Sequence, residues 1–149
     1  MKVLSTVLSN YFFTNFATIE FISLIIEAII KVRDVNLSKL SVAIDLKIKQ
    51  ESIYRKLQRF FLSFDFTQEL FAKMMIRLFN LESDSWFLAL DRTNWQFGNS
   101  DINILMLSVC YQGVSIPIMW NILDKKGASN FEERKLLLEK FIKVFGVNK

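Results

Sequence analysis

Two apolar runs joined by only two residues constrain the fold of this chain more than any other feature. The runs cover residues 104–111 and 114–122, and Gln112 and Gly113 join them. A two-residue loop that contains glycine is typical of a tight antiparallel hairpin. Pro117 has no N–H to donate to a neighbouring strand, so the second strand is expected at a sheet edge or beside a bulge.

A third apolar run, residues 86–90, precedes the hairpin and stops abruptly at Asp91. A buried strand that ends on a carboxylate would hold it rigidly, while the loop 92–94 leaves room for a divalent ion, water and a phosphate. The alternative is a turn carboxylate that caps this loop. Position alone favours neither interpretation.

A helix is predicted after the hairpin. Ser129 and Glu132 match the Ser-x-x-Glu capping box, and Gly146 can end the helix. Its apolar side is expected to consist of Phe131, Leu138, Phe141, Ile142 and Phe145. The second half of the chain therefore predicts a strand, a hairpin and a helix.

The first half of the chain shows helical periodicity instead. Apolar residues recur at helical spacing over residues 11–32, and a later helix is expected over residues 67–79 with Thr67 as its N-cap. The chain is therefore predicted to be an α+β protein. It should consist of a helical module in residues 1–82 and a mixed domain in residues 83–149.

Two carboxylates argue against membrane insertion of the apolar stretch in the first half. Glu20 and Glu27 lie within the apolar stretch of the first half. Each would cost about 2.5 to 3.5 kcal/mol at the centre of a bilayer. We therefore expect a buried or partly buried helix here and no membrane partner.

The chain has no histidine and a single cysteine, Cys110. The absence of histidine excludes Ser-His-Asp and Cys-His catalysis, imidazole acid–base chemistry and zinc sites that need imidazole. Cys110 lies inside an apolar run, which predicts a buried small side chain rather than a reactive thiol. Carboxylates are therefore the catalytic ligands that remain.

The first half of the chain carries the whole excess of positive charge, a formal net charge of +4. Residues 1–81 contain 11 Lys and Arg against 7 Asp and Glu, whereas residues 82–149 contain 8 of each. A local excess of positive charge favours an anionic partner such as nucleic acid. The first half is therefore where a DNA contact is expected.

Five basic residues form the candidate DNA-binding set of this half: Lys47, Lys49, Arg55, Lys56 and Arg59. Arg55 and Arg59 are four residues apart, so they share one face of a predicted helix. A basic second helix after a short first helix is compatible with a helix-turn-helix contact to DNA, in which phosphates supply affinity and a few side chains read bases. The alternative is the solvated face of a small helical bundle.

One motif, LALDRTNWQFG at residues 88–98, is highly characteristic. Together with INILMLSVCYQGVSIPIMWNILDKKGASNFEERKLLLEKFI at residues 102–142, it resembles the DDE-class insertion-sequence transposases of the family named after insertion sequence four. The upstream segment VNLSKLSVAIDLKIKQESIYRKLQRFF, residues 35–61, resembles the N-terminal region of the same family. The resemblance covers nearly the whole chain.

The resemblance implies that residues 83–149 are the first part of a ribonuclease-H-like domain, with Asp91 as the first of three metal-binding acids. It implies DNA transposition, in which strand cleavage and strand transfer at transposon ends depend on Mg²⁺ or Mn²⁺. The implied partners are DNA, a second copy or an intact transposase, and the implied location is the prokaryotic cytoplasm, associated with the nucleoid. Arg92 and Asn94 are candidates for DNA contact beside Asp91. Alternatively, Trp95 packs the loop against the sheet and Arg92 pairs with an acid.

The family's other two acids lie on elements beyond residue 145. Four other acids of this chain do not suit the role of a substitute, because they are expected in loops or turns or on a helix surface: Asp84, Asp101, Asp124 and Glu139. The chain is therefore expected to be inactive and to bind no metal productively, and its status as an enzyme stays open. The alternatives are a non-enzymatic DNA-binding remnant, which occupies element ends or regulates an intact transposase, and a fragment without function.

Overall fold

A computed structural model describes residues 2–12, 15–81, 85–98 and 100–147, without the side chains of residues 2, 3 and 97. The elements, in chain order, are α1 (Lys2–Ser9), α2 (Phe16–Val32), α3 (Leu37–Ala43), α4 (Gln50–Ser63), α5 (Gln68–Leu78), β1 (Phe87–Phe97), β2 (Ser100–Tyr111), β3 (Val114–Leu123) and α6 (Phe131–Phe145). The predicted α+β class is confirmed. None of the helices within the described ranges is long and apolar enough to cross a membrane.

The chain divides into two compact units, Met1–Asp65 and Phe66–Lys149. The predicted domains meet later, between residues 82 and 83. The difference concerns α5, which packs against β3 and contributes the buried Ala72 and Ile76 to the core of the second unit. Amphipathic periodicity predicts that α5 is a helix but does not say which apolar surface it covers.

The first unit is built around α2, α3 and α4. Their buried apolar side chains form one core cluster, which includes Phe21, Ile25, Leu40, Ile53 and Leu57. The predicted helical stretch 11–32 is interrupted before α2, because the Asn15 side chain accepts a hydrogen bond from the Thr18 amide and caps the helix. Phe13, within that stretch, lies outside the described residues.

The second unit contains an antiparallel sheet with the strand order β1-β2-β3. Gln112 and Gly113 have φ angles of 48° and 80°, which the two-residue hairpin turn requires. Within the described residues β3 is an edge strand, and the register shifts between Leu107 and Ser108, opposite Pro117. The predicted hairpin and the edge position of its second strand are confirmed.

The first strand differs from its prediction. β1 does not end at Asp91 but continues to Phe97, paired with β2 as far as Ser100. An apolar run marks burial rather than hydrogen bonding, and the residues after Asp91 continue the backbone pairing with β2, from Arg92 opposite Leu105 to Gln96 opposite Asp101. Asp91 therefore lies within a strand, and the prediction that the strand ends there is wrong.

The start of α6 is shifted by one residue from its prediction. The capping box consists of Asn130 and Glu133 rather than Ser129 and Glu132, because asparagine caps a helix as well as serine does.

Leu137 and Phe141 are the buried residues of α6, whereas Phe131 and Ile142 are 66% and 42% exposed. The predicted apolar side is therefore wrong at Phe131 and Ile142. Gly146 ends the helix as predicted, with a φ of 84°. Thr67, the predicted cap of α5, also accepts the hydrogen bond expected of it, from the Leu70 amide.

The capping box of α6 predicts a pH effect on stability. The Lys125 ammonium, 2.9 Å from Glu133, and then the Asn130 amide hold the pKa of Glu133 below its usual 4.5. A lowered pKa stabilises the fold at pH values above the unfolded pKa, and this contribution is lost as the pH falls through the folded pKa. Glu133→Gln keeps the capping hydrogen bond but does not titrate. We expect the free energy of unfolding to fall less steeply in Glu133→Gln than in the unmodified chain between about pH 5 and pH 3.

Urea unfolding at a series of pH values measures this difference. Glu132→Gln is the matched control, because it removes the neighbouring carboxylate of the same helical turn and leaves the Lys125 contact in place. Equal pH slopes for Glu133→Gln and Glu132→Gln would contradict the assignment.

Candidate functional site

Asp91 lies at the middle of β1, opposite Met106 of β2, which lies opposite Trp120 of β3. Directly paired residues project from the same face of a sheet. The Trp120 ring makes an edge-to-face contact with Phe71 of α5, with ring centroids 5.3 Å apart. The Asp91 carboxylate therefore projects from the sheet face that α5 partly covers.

The Asp91 side chain is exposed, and its Oδ1 accepts a hydrogen bond of 2.7 Å from the Arg92 amide. The strand fixes the backbone on either side of Asp91, so the side chain extends from a rigid position. Its carboxylate is open to solvent. The alternative of a turn carboxylate does not apply, because β1 continues past this residue. The position suits a ligand that meets a metal ion at the surface of the sheet.

A metal site needs more ligands than Asp91 alone. Among the residues that the structure describes, no group of three His, Cys, Asp or Glu residues lies close enough to hold a metal ion. The prediction that Asp101 lies in a loop is wrong, because it pairs with Gln96 at the start of β2. Asp101 is 2.9 Å from the Lys126 ammonium, and Glu139 is 3.9 Å from the Lys135 ammonium. Asp84 lies outside the described residues.

Arg92 projects from the opposite face of the sheet, because successive strand residues alternate. Its guanidinium donates to Asn103 Oδ1 at 3.4 Å. The Asn103 amide group donates in turn to the carbonyls of Lys125 and Gly127, at 3.0 Å each. Asn103 thus joins β1 to the connection between β3 and α6, a role that was not predicted from the sequence. Its signal in the sequence is an asparagine between two isoleucines, Ile102 and Ile104.

The residues after Asp91 form no loop, since β1 continues to Phe97, and the alternatives predicted for Trp95 and Arg92 are wrong. Trp95 is 66% exposed and does not pack against the sheet. Arg92 contacts an amide, Asn103, rather than an acid. Asn94 is exposed near the end of β1.

Cys110 is exposed as well, so the prediction of a buried thiol is also wrong.

Arg55 and Arg59 project together from the exposed side of α4. With Ser52, Gln58 and Leu62 they line a groove of about 520 Å³. The core residues of α4 lie on its other side, so the guanidinium groups do not take part in packing the helix. The structure therefore brings the two predicted arginines onto one accessible surface.

The three lysines of the candidate set occupy other positions. Lys56 lies with its ammonium 4.4 Å from the centroid of the Phe21 ring, a cation–π contact that directs it toward α2. Lys47 and Lys49 are exposed in the connection between α3 and α4. The five basic residues therefore do not share one surface. Arg55 and Arg59 lie on the exposed side of α4, Lys47 and Lys49 lie in the connection before it, and Lys56 points toward α2.

The helices α3 and α4 follow one another, and their connection is longer than the roughly three to four residues of a helix-turn-helix turn. Seven residues of α3 and fourteen of α4 are joined by residues 44–49. A second groove of about 520 Å³ runs between the two helices, lined by Ser38, Ser41, Gln50, Glu51, Tyr54, Arg55 and Gln58. Polar side chains therefore surround the exposed side of α4 over most of its length.

No protein-family model matches this chain. No curated protein and no solved structure matches it significantly either.

Proposed function

We propose that this chain is the N-terminal part of a DDE-class transposase, with a helical unit that contacts DNA and with Asp91 as the first of three metal-binding acids. The observation that carries the proposal is the Asp91 carboxylate, exposed at the centre of the first strand. The LALDRTNWQFG motif around it supplies the family resemblance.

The arrangement of the second unit supports the proposal. A strand, an antiparallel hairpin with its last strand at an edge, and a helix follow one another in the chain. The ribonuclease-H-like fold of polynucleotidyl transferases begins in this order. In that fold the first strand carries a metal-binding acid, the role we propose for Asp91.

The residues present do not make a complete Mg²⁺ or Mn²⁺ site. Two metal ions in such enzymes polarise a phosphodiester and activate the attacking oxygen, and each ion needs several oxygen ligands. The described part of the chain offers one suitably placed carboxylate, Asp91. The other two acids would have to come from elements that follow α6.

The helical unit supplies the surface that supports the proposed contact with DNA. Arg55 and Arg59 form an accessible cationic surface on α4, and Lys47 and Lys49 lie in the turn before it. Neutralisation of phosphates by such side chains releases counterions, which supplies affinity that does not depend on sequence. This contact would bring transposon ends to the protein.

A second candidate is a non-enzymatic DNA-binding protein that occupies element ends or regulates an intact transposase. Both candidates are compatible with the lack of a three-ligand acidic group among the described residues. The second candidate shares the DNA contact of α4 with the first. The two differ only in whether Asp91 takes part in metal chemistry.

The effect of Asp91→Asn separates a metal ligand from a DNA contact. Without metal, we expect the variant to bind duplex DNA as tightly as the unmodified chain, or up to about twofold more tightly, because a charge that repels phosphates is removed. With Mg²⁺, neither protein should cleave DNA. Fluorescence anisotropy and a plasmid-nicking assay measure these results, with Asp124→Asn as the matched control.

Two outcomes would contradict this account. A loss of metal-free DNA affinity in Asp91→Asn alone would make Asp91 a structural or DNA-contacting residue. Mg²⁺-dependent cleavage that disappears in Asp91→Asn but persists in Asp124→Asn would show that the chain already holds a complete site.

A further inference from the structure

A cavity of about 580 Å³ lies in the first unit, away from the exposed arginines of α4. Its lining residues come from α1, from the first half of α2 and from the connection between α3 and α4. All of them belong to the first unit. Small-molecule sites in proteins occupy about 300 to 1,000 Å³, so the cavity has the size of a ligand site.

The walls of the cavity are largely apolar. Four lining residues share one face of α2, because they are spaced four, three and one residues apart: Phe16, Glu20, Ser23 and Leu24. Leu24, and Leu46 from the connection after α3, also pack against the core cluster of the unit. The Phe16 ring is 62% exposed. The cavity therefore offers an apolar ligand a wall that is anchored in the core.

The charged groups that line the cavity are carboxylates. Glu20 comes from α2 and Asp45 from the connection after α3, and the described lining contains no Lys or Arg. Both side chains are exposed, and neither forms an ion pair with another residue of the described ranges. Opposite charges attract. Two carboxylates without a cation beside them, in a chain of net charge +4, therefore favour a cationic ligand.

A metal ion does not suit this cavity. Mg²⁺ and Ca²⁺ are held by several oxygen ligands at once, and the described residues contain no group of three possible metal ligands. The apolar walls would also leave most of an inorganic ion without partners.

A primary ammonium group suits the cavity better. It carries three N–H donors on one charged atom, whereas carboxylates accept hydrogen bonds. The Ser23 hydroxyl donates to the Ile19 carbonyl at 2.9 Å, so its oxygen can still accept a further hydrogen bond. An apolar body attached to the ammonium group would cover the walls of the cavity.

We propose that the cavity binds a small organic amine. Its primary ammonium group meets Glu20 and Asp45, and its apolar body lies on Phe16, Leu24 and Leu46. The site goes beyond the proposed function, because neither Asp91 nor the arginines of α4 take part in it. Binding of an amine and binding of DNA can therefore be tested separately.

Titration of the full chain, labelled with nitrogen-15, tests the proposal through its amide chemical shifts. The probe is phenethylamine, an ammonium ion at neutral pH, and phenethyl alcohol is the neutral probe of similar shape. We expect the amine to bind roughly fivefold to twentyfold more tightly, because an exposed ion pair contributes up to about fivefold and two carboxylates line the cavity. The largest shifts should occur at the amides of Glu20, Ser23 and Asp45.

Glu20→Gln with Asp45→Asn removes both carboxylates and should reduce the preference for the amine to less than about twofold. Glu51→Gln with Asp65→Asn is the matched control. It removes one Glu and one Asp from exposed positions of the same unit that do not line the cavity, so the preference should persist. The amide spectrum of each variant also shows whether it is folded.

Three results would overturn the proposal. The first is no binding of the amine up to millimolar concentrations, or shifts that map away from the cavity. The second is equal affinity for the amine and the alcohol, which would indicate an apolar cavity without selectivity for cations. The third is the same loss of preference in both double variants, which would indicate a general effect of net charge.

Discussion

Replacing both Arg55 and Arg59 with alanine is expected to weaken binding to duplex DNA by about 100-fold at low salt. Each guanidinium would contribute about 1 to 3 kcal/mol through a base or phosphate contact, and every 1.4 kcal/mol changes the affinity tenfold. Both side chains line the same exposed groove of α4. The core residues of the helix are unchanged, so the loss should not reflect unfolding.

A second double variant tests whether position or total charge causes the loss. Arg77→Ala with Lys143→Ala removes the same charge from exposed positions of the other unit. We expect this pair to weaken binding by less than about threefold, because only long-range attraction is reduced. Fluorescence anisotropy with a labelled duplex measures both variants. Equal losses in the two double variants would show that net charge, rather than the face of α4, binds DNA.

Leu137→Ala is expected to lower the free energy of unfolding of the second unit by about 2 to 5 kcal/mol. Leu137 is fully buried in the core cluster that α6 forms with the sheet. Its truncation removes apolar burial and leaves a cavity. The measurement is urea unfolding followed by near-ultraviolet circular dichroism, which reports on the aromatic contacts of Trp86 with Phe141 and Phe145.

The neighbouring residue provides the control. Leu136 is 52% exposed, so Leu136→Ala should change the free energy of unfolding by no more than about 0.5 kcal/mol. Both substitutions change helix propensity equally, and their difference therefore isolates burial against the sheet. Similar losses for the two variants would mean that α6 does not pack on the sheet through this face.

Features fixed by local chemistry could be predicted from the sequence. The turn at Gln112 and Gly113 needs positive φ angles, and Pro117 restricts β3 to an edge. The N-cap at Thr67 and the helix end at Gly146 depend on one residue each. These elements lie in the structure where the sequence places them.

Features that depend on distant partners could not be predicted. The end of β1 is set by its pairing with β2, so the apolar run alone misplaces it at Asp91. The contact of Arg92 with Asn103 joins residues on different strands, and the packing of α5 against β3 needs the sheet to be formed. The cation–π contact of Lys56 likewise depends on the position of α2.

The affinity of the chain for duplex DNA over a range of salt concentrations tests the central claim most directly. The logarithm of the binding constant should fall linearly with the logarithm of the salt concentration, by about 0.9 for each phosphate that is neutralised. Arg55→Ala with Arg59→Ala should make this slope shallower by about one to two. Binding that does not change with salt, or no binding at about 50 mM salt, would contradict the account.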